Sequence, residues 1–527
     1  MYLLLFSIIL ILALVAIKIS SKSGIPALLL FLTLGIIFNF LGVEFNNYYL
    51  ADKIACVSLM VIMFYGGFGT NWSMAKPVAF PAVVLASLGV VLTSLITGYF
   101  SYKILGFNFY EAMLLGSVVG STDFASVSNI LVSKKLNLKY STASLLEIES
   151  GSNDPTAYTL TMVFMSLLLK SKISVGLLIF KQLFIGIGLG FLIGYLFMKI
   201  INKFKLSDDG LFIVFIAAIM VGTYSLSDIF GGNGYLSLYI LGIYIGNKEF
   251  KHKKDVVFFY DGVTNLVQIA LFFLLGLLSS PDKILNALPI GFILMMFLFL
   301  VARPLSVFVL LKPFKAKTEQ NILISIAGIR GAAAIAFAIM AVNSDIRFSI
   351  DIFHIVFVIC LFSSLIQGSL MPYATKRLSM FDPDEIVLNT FNYYQIKSPF
   401  GFIISKIKEG SSWINKSIRE INPYFDLIIA KIERDGKTII PKGDTVIEAG
   451  DTLVIGGESF FDKSGEDLEE IKLSPHHIWV NKYIRDLKIN SNILIIMIKR
   501  NNDEIIIPNG NTLLKTDDRL VILKEYE

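Results

Sequence analysis

The chain has 527 residues, of which 55% are hydrophobic and 17% are charged, and its formal net charge at pH 7 is +5. This composition, with a mean hydropathy of +0.69, excludes an ordinary soluble globular protein, in which about 25% of residues are charged. The two cysteines, Cys56 and Cys360, lie in apolar runs, so no disulfide framework is predicted.

Most of the chain consists of apolar runs long enough to cross the roughly 30 Å hydrocarbon core of a bilayer. The runs lie near residues 2–19, 24–41, 53–70, 77–100, 110–132, 141–169, 174–199, 209–227, 232–247, 257–279, 284–311, 320–342 and 350–372. The first run lacks a basic flank and a cleavage site, so we expect it to be retained as a span. Residues 1–378 are therefore predicted to form an all-α polytopic membrane domain of about thirteen transmembrane helices.

Basic residues are unevenly distributed between alternate loops of this predicted domain. One set of loops carries eighteen Lys and Arg residues and the other carries six. Because loops rich in Lys and Arg face the cytoplasm, the sequence predicts a multi-pass cell-membrane protein with its N-terminus outside and its C-terminus in the cytoplasm.

Ionisable residues inside predicted spans are costly and are therefore candidates for function. They are Asp123, Glu147, Glu149, Asp154, Arg303 and Arg330. Small and hydroxyl residues interrupt the fifth span at 120–126, and Gly328-Ile329-Arg330-Gly331-Ala332 interrupts the twelfth. Spans seven apart cross the membrane in opposite senses, which is the arrangement of an inverted repeat with substrate bound where two broken helices meet.

The densest polar stretch is Glu149-Ser150-Gly151-Ser152-Asn153-Asp154 in the sixth span. At helical spacing Ser150 and Asp154 share one face, which could bind a cation, while Glu149 on another face seeks a basic partner such as Arg303. The Ser and Thr residues are equally well explained as packing contacts between helices. A lone carboxylate needs compensation that packing does not supply, so Asp154 is predicted to carry an ion.

These residues resemble the monovalent cation/proton antiporters of the NhaP type, the branch with an Asn-Asp pair that includes sodium/proton and potassium/proton exchangers. The resemblance rests on Ser121-Thr122-Asp123, the stretch 149–154, Arg303 and the stretch 328–332. It implies that Asp154 binds the cation or proton, that Asn153 and Ser150 support it, and that Thr122 and Asp123 contribute oxygens and backbone. Glu149 and Arg303 would form a structural ion pair, and Arg330 would offset helix-end charge.

The implied activity is electroneutral exchange of a monovalent cation for a proton in pH and volume homeostasis, because one carboxylate that holds either ion couples them one for one. Phe124 stands where family members commonly have Pro after the Thr-Asp pair, so the shape of that break and the choice between K⁺ and Na⁺ stay open. No resident metal or cofactor is expected in the membrane domain.

After a predicted linker at 379–395, the pattern changes to short alternating runs typical of a soluble α+β region. The stretch that begins at Trp413 recurs 66 residues later at Trp479, which predicts two copies of one small fold at 396–460 and 461–527. Ile440-Pro441-Lys442-Gly443-Asp444-Thr445, followed by Gly450-Asp451, resembles the TrkA C-terminal (RCK C-terminal) domain of potassium channels and transporters.

The tail's resemblance implies paired domains that bind a small regulator, such as cyclic di-AMP, and it favours K⁺ over Na⁺. The alternative is two stable domains that only hold a homodimer together. No strand followed by Gly-x-Gly-x-x-Gly occurs, so no NAD-binding domain is expected. We predict a homodimer without a nucleic-acid partner.

Two other functions fit the sequence less well. A channel would need a filter loop such as Thr-Val-Gly-Tyr-Gly, which Gly232-Asn233-Gly234-Tyr235 does not match. An intramembrane aspartyl protease could use Asp123 and Asp154 as a dyad. That enzyme would leave Arg303 and Arg330 without a role, so the sequence favours a transporter over an enzyme.

Overall fold

The computed structural model describes residues 2–23, 27–43, 45–70, 72–133, 136, 138–201, 209–248, 250, 253–382, 400–407, 409–421, 428–434, 437–458, 468–475, 477–487, 493–500, 504–506 and 508–524. The chain folds as two compact units, residues 1–396 and 397–527. Of the predicted linker 379–395, residues 383–395 lie outside the described residues.

The first unit is helical. Its helices are α1 (Tyr2–Ser23), α2 (Ala27–Phe40), α3 (Tyr48–Gly69), α4 (Trp72–Val84), α5 (Val90–Lys103), α6 (Phe109–Val118), α7 (Phe124–Ser133), α8 (Thr142–Ser152), α9 (Asp154–Leu168), α10 (Val175–Ile201), α11 (Asp209–Ile229), α12 (Gly234–Gly246), α13 (Lys253–Leu278), α14 (Pro281–Phe297), α15 (Arg303–Leu311), α16 (Thr318–Ile326), α17 (Ala332–Val342) and α18 (Ile352–Arg377).

Within the described residues, seven helical stretches are long and apolar enough to cross a membrane. They are Tyr48–Gly69, Ala75–Lys103, Val175–Ile201, Gly210–Ile229, Asp255–Leu278, Pro281–Phe314 and Ile352–Arg377. The shorter apolar helices include α6, α12 and α17. The unit is therefore a helical polytopic membrane fold, as the composition predicted.

Three of the predicted spans are interrupted. The chain leaves helical geometry between α6 and α7 and again between α16 and α17, at the two stretches where small residues predicted breaks. The sixth span was predicted as one continuous helix, but α8 ends at Ser152 and α9 begins at Asp154. Pro155 explains this difference, because it lacks an N–H and its ring clashes with the carbonyl of Gly151 in a straight helix.

Two further spans contain a π-helical turn. Leu85–Gly89 joins α4 to α5, and Leu298–Ala302 joins α14 to α15. Each π turn lies one predicted span before a broken helix, and such turns are frequent at functional sites. The two spans touch, because the buried Thr93 hydroxyl donates to Ser306 Oγ at 3.0 Å.

Glycines bring α3 and α12 into backbone contact. A Cβ atom on Gly67 would lie 2.2 Å from the carbonyl oxygen of Tyr239, and one on Gly242 would lie 2.3 Å from the carbonyl oxygen of Phe64. Small residues at such crossings are typical of membrane helices, which associate by close packing. This close packing positions α3, whose residues Leu59, Ile62, Met63 and Gly66 line a cavity.

The described part of the second unit contains two four-stranded antiparallel sheets and the short helix α19 (Ile418–Ile421). The strands are β1 (Phe400–Lys406), β2 (Ile428–Arg434), β3 (Lys437–Ile439), β4 (Thr452–Glu458), β5 (Leu468–Lys472), β6 (Ile493–Arg500), β7 (Glu504–Ile506) and β8 (Arg519–Lys524). Their orders, β1-β4-β2-β3 and β5-β8-β6-β7, are equivalent. The repeat in the sequence therefore corresponds to two sheets of one topology.

The same ion pair stabilises each sheet. Arg434 Nε lies 2.7 Å from Asp451 Oδ1, and Arg500 Nη2 lies 2.7 Å from Asp518 Oδ2. Both aspartates are fully buried. Because a buried carboxylate needs a charged or hydrogen-bonding partner, this pair explains why Arg and Asp recur together in the two halves of the tail.

Candidate functional site

The two breaks in the helices cross each other in the middle of the first unit. The backbone N–H of Asp123, in the first break, donates to the carbonyl oxygen of Ile329, in the second, at 2.7 Å. Gly331 permits this approach, since a Cβ atom there would lie 2.3 Å from Asp123 Cγ. The crossing therefore requires the glycine that made the second break recognisable in the sequence.

Arg330 binds the end of the opposite broken helix. Its Nη1 donates to the carbonyl oxygens of Gly120 and Ser121, at 2.6 and 2.7 Å, and its own backbone N–H donates to Ser363 Oγ at 2.9 Å. The last carbonyls of a helix have no partner within the helix and carry partial negative charge. The buried guanidinium supplies both the hydrogen bonds and the charge that α6 lacks at its end.

Asp123 begins the other half of the first broken helix. Its Oδ2 accepts hydrogen bonds from the backbone N–H of Ser126, at 3.1 Å, and from the Ser126 hydroxyl. This is the geometry of an N-cap, in which a side-chain oxygen satisfies a free N–H in the first turn of a helix. Asp123 therefore fixes the start of α7 and lies beside the crossing.

Thr122 links the first break to the sixth span. Its hydroxyl donates to Ser150 Oγ at 3.3 Å and accepts a hydrogen bond from the amide nitrogen of Asn153. A threonine hydroxyl has one hydrogen to donate, so the amide nitrogen of Asn153 is the group that faces it. Asn153 is fully buried, and its Oδ1 accepts no hydrogen bond from any described residue.

Asp154 lies at the start of α9 with 7% of its surface exposed. Its Oδ1 accepts no hydrogen bond from the described part of the protein. The carboxylate lines a small cavity of about 20 Å³. The lining residues are Leu59, Ile62, Met63, Gly66, Asp123, Gly151, Asp154, Gln268, Phe272, Ala332 and Ala333.

An aromatic layer lies beside Asp154 in the other direction along α9. It consists of Tyr158, Tyr224, Tyr235 and Phe337, whose ring centroids are 5.0 Å (Tyr158 to Tyr235), 5.2 Å (Tyr224 to Tyr235) and 5.7 Å (Tyr158 to Phe337) apart. Tyr158 follows Asp154 by one helical turn, whereas cavity-lining Gly151 precedes it. Asp154 therefore lies between this cavity and packed aromatic rings.

Glu149 and Arg303 lie apart from this cavity. Arg303 Nη2 donates to Glu149 Oε2 at 2.9 Å, and the two side chains are 2% and 1% exposed. Neither residue lines the cavity. The pair joins α8 to α15, which is the partnership expected from the sequence, and its geometry is that of a link between helices.

The structure adds polar residues that the sequence analysis did not single out. Gln268 lines the cavity, Ser126 completes the cap at Asp123, and Ser363 accepts from Arg330. Gln367 Nε2 donates to the carbonyl oxygen of Ile326, at the end of α16, at 3.1 Å. The sequence signal was present, since each interrupts an apolar run, but these side chains are neutral and lack the high cost in a membrane that marks an ionisable residue.

The predicted site residues thus fall into three groups. Asp154 and Asp123 line the cavity, while Asn153, Ser150 and Thr122 form a hydrogen-bonded cluster and are not among the lining residues. The sequence predicted that Ser150 and Asp154 share one helix face. In the structure, the Ser150 hydroxyl accepts a hydrogen bond from Thr122. Glu149, Arg303 and Arg330 connect helices around this centre.

Comparison with known proteins places this geometry in a family. The family model described as "Sodium/hydrogen exchanger, transmembrane" matches residues 9–377. The TrkA-C domain model matches twice, at 402–459 and 468–523. The first match covers both helix breaks, the sixth span and the ion pair, and the other two fall on the two sheets.

Curated relatives agree with this assignment. A K⁺/H⁺ antiporter NhaP from Alkalimonas amylolytica is 34% identical over 378 residues, covering 70% of this chain and 66% of that protein. A K⁺/H⁺ antiporter NhaP2 from Shewanella baltica is 30% identical over 486 residues, covering 90% and 83%. A probable Na⁺/H⁺ antiporter 2 from Methanocaldococcus jannaschii is 30% identical over 352 residues, covering 61% and 80%.

Among solved structures, the sodium proton antiporter MjNhaP1 from Methanocaldococcus jannaschii superimposes with a TM-score of 0.63 and 25% sequence identity. The match covers 71% of this chain and 97% of that one. Members of the matched family are transporters, so the protease alternative is not retained. The chain belongs to the sodium/hydrogen exchanger family of membrane antiporters and carries two TrkA-C domains after its membrane unit.

Proposed function

We propose that this protein exchanges K⁺ for H⁺ across the cell membrane, one for one, at Asp154. The observation that carries the proposal is the placement of this carboxylate, which lines a cavity at the helix crossing with one oxygen unsatisfied by the described residues. An unsatisfied carboxylate at membrane depth is costly, and a proton or a cation relieves that cost.

Competition for Asp154 couples the two ions. A proton neutralises the carboxylate covalently, whereas a cation that has lost its water does so by coordination, and the site holds one of them at a time. If the protein changes the side of the membrane to which Asp154 is open only when the carboxylate is neutralised, each cation moved one way requires a proton moved the other way. One titrating carboxylate then makes the exchange electroneutral.

The neighbouring residues would prepare this site. Asn153 would offer its free amide oxygen to the cation, while Thr122 and Ser150 hold the amide in place. Asp123 would keep α7 at the crossing. Outside the cavity, the Glu149–Arg303 pair and Arg330 would keep the helices aligned as the site changes sides.

We also propose thirteen transmembrane segments arranged as inverted repeats. Counting the helices joined by a π turn and the broken pairs as single segments, the π turns at Leu85–Gly89 and Leu298–Ala302 are seven segments apart, as are the two breaks. This agreement of two independent features supports the repeat. The N-terminus would face outside and the C-terminus the cytoplasm, and the protein would form a homodimer.

The choice of K⁺ follows the K⁺/H⁺ antiporter names of the two bacterial relatives and the TrkA-C domains. Na⁺ is the second candidate, because the archaeal relative and the superimposed structure are named as Na⁺/H⁺ or sodium proton antiporters.

We propose that the tail, divided into domains at 396–460 and 461–527, binds a regulatory nucleotide such as cyclic di-AMP and adjusts the exchange rate.

Exchange can be measured in proteoliposomes that contain a pH-sensitive dye, with K⁺ and Na⁺ added in turn. We expect dequenching with K⁺ at lower concentration than with Na⁺, and the same rate when valinomycin and K⁺ set a membrane potential. Asp154→Asn should abolish the signal while the protein remains folded in detergent. Exchange by that variant, or a rate that depends on the potential, would contradict the mechanism.

A further inference from the structure

Gln268 is the neutral polar residue that lines the cavity together with the two aspartates. It lies on α13, whereas Asp154 lies on α9 and Asp123 at the start of α7. Its side chain is 8% exposed, and its sequence neighbours on both sides, Val267 and Ile269, are apolar. A carboxamide in such surroundings is costly unless something satisfies it.

Within the described part of the chain, Gln268 forms no hydrogen bond that would satisfy it. The cavity is therefore where its partner must lie, since buried polar groups almost always bind protein, ordered water or ligand. The cavity already presents an unsatisfied oxygen of Asp154. The Gln268 amide and the Asp154 carboxylate, which lie on different helices, thus line the same small cavity.

The two ions that compete at this space need different numbers of ligands. A proton is held by a covalent bond to one carboxylate oxygen, so it gains little from a further oxygen ligand on another helix. A dehydrated alkali cation needs several oxygen ligands, and carbonyl-type oxygens replace its hydration shell well. An amide oxygen also adds no charge, so it could coordinate the cation without changing the exchange ratio.

We propose that Gln268 supplies an oxygen to the transported alkali cation from the α13 wall and so determines cation affinity without affecting proton binding. This inference rests on the proposed exchange at Asp154 and deepens it. It gives the cation ligands from two sides of the cavity, and it makes α13 part of the cation site although the polar motifs of the sequence lie on other helices.

The test compares Gln268→Met with the wild-type protein in proteoliposomes. Methionine keeps the length of the side chain but removes the amide. The KM for K⁺, and separately for Na⁺, should rise about three- to tenfold, the loss expected for one hydrogen-bond-strength contact. At saturating cation, the maximal rate should stay close to that of the wild type. At a fixed cation concentration, the pH of half-maximal exchange should rise, because the proton then competes with a more weakly bound cation.

Thr264→Val is the matched control. Thr264 lies one turn earlier on α13, is 7% exposed, and has a hydroxyl that no described residue satisfies, but it does not line the cavity. Its loss should leave both KM values unchanged. An equal rise in KM for Thr264→Val and Gln268→Met would overturn the proposal, because the effect would then belong to the packing of α13.

Gln268→Glu tests the same residue with its oxygen retained. A third carboxylate in the cavity, beside Asp154 and Asp123, should lower the KM for K⁺ relative to Gln268→Met and should make the exchange rate depend on membrane potential. If Gln268→Met keeps the wild-type KM for both cations, or Gln268→Glu behaves like the methionine variant, Gln268 is not a cation ligand. Activity of Asp154→Asn would instead contradict the exchange mechanism itself.

Discussion

Asn153 and Asp154 are adjacent, but they face different partners. The Thr122 hydroxyl gives its single hydrogen to Ser150, so it can only accept from residue 153. An amide can donate there, whereas an ionised carboxylate cannot. The neutral residue therefore fits the hydrogen-bonded cluster, and the acidic residue is the one that lines the cavity. The order of the Asn-Asp pair follows from the number of donors that Thr122 possesses.

Substitutions in the Glu149–Arg303 pair test whether this pair holds the helices together or binds the transported cation. Glu149→Gln alone should destabilise the protein by about 3–5 kcal/mol, because it leaves the buried Arg303 charge without its partner. The double substitution Glu149→Leu with Arg303→Met should recover much of this loss. Thermal unfolding in detergent measures the stability, and K⁺/H⁺ exchange measures the function.

A structural pair predicts that the double variant still exchanges cations with a KM near that of the wild type. Loss of cation binding in a double variant that has regained its stability would show that Glu149 acts at the transport site. Lys431→Met, in an exposed pair with Glu433, should change the stability by less than about 1 kcal/mol and serves as the reference for surface ion pairs.

At the scale of helices, the features that could be predicted are those that depend on which residue types interrupt the apolar runs. Charges are so rare in the apolar runs that Arg303 could be matched with Glu149 from the sequence, and the small residues of 120–126 and 328–332 marked the two breaks. The kink at Asn153 was missed although Pro155 marks it. The contacts of Gln268 and Ser363 could not be predicted, because they depend on how α13 and α18 pack in space.

Glycines on α10 test the packing of helices directly. Gly190 faces α12, where a Cβ atom would lie 2.6 Å from the carbonyl oxygen of Ser237, whereas a Cβ atom on Gly188 would meet nothing within 4 Å. Gly190→Ala should therefore force the helices apart and destabilise the protein by about 1–3 kcal/mol. Gly188→Ala should leave the melting temperature unchanged or slightly higher.

Melting temperatures of the two alanine variants, measured in the same detergent, check this prediction. The two positions belong to one helix and differ by two residues, so effects of helix propensity cancel in the comparison. Equal melting temperatures would mean that α10 and α12 are not in the close contact described. The result would also decide whether the glycines of α10 serve helix packing.

At the scale of the whole molecule, the tail should respond to acid through its repeated ion pair. Hydrogen bonds from Arg434 hold the pKa of Asp451 below its usual range. Because the folded-state pKa is lower than the unfolded one, the pair stabilises the sheet at neutral pH. That stability is lost as the pH falls through the usual aspartate range towards the folded-state pKa.

Trp413 packs beside the core of the first sheet and can report its unfolding once Trp72 and Trp479 are replaced by Phe. In this background, we expect an acid transition in the fluorescence of the full-length protein. Arg434→Met should lower the stability at pH 7 and weaken the dependence on pH. An unchanged acid transition in Arg434→Met would show that the pair does not control the stability of the sheet.

The end of the membrane unit determines where the tail can be removed. Leu138 forms a β-bridge with Phe381, and the backbone N–H of Lys139 donates to the carbonyl oxygen of Met380 at 2.9 Å. These contacts join the segment after α18 to the loop between α7 and α8. Helix α8, which follows this loop, ends two residues before Asp154. Residues 379–382 therefore belong structurally to the membrane unit.

A protein truncated after Asp382 should remain folded and exchange K⁺ with the KM of the full chain, but its rate should no longer respond to a nucleotide that binds the tail. Truncation after Arg377 should lower the melting temperature, because it removes the partners of Leu138 and Lys139. Equal melting temperatures for the two truncations would contradict the structural role of 379–382. An inactive protein truncated after Asp382 would mean that the tail is required for transport, since the site at Asp154 would then be complete but unable to change sides without it.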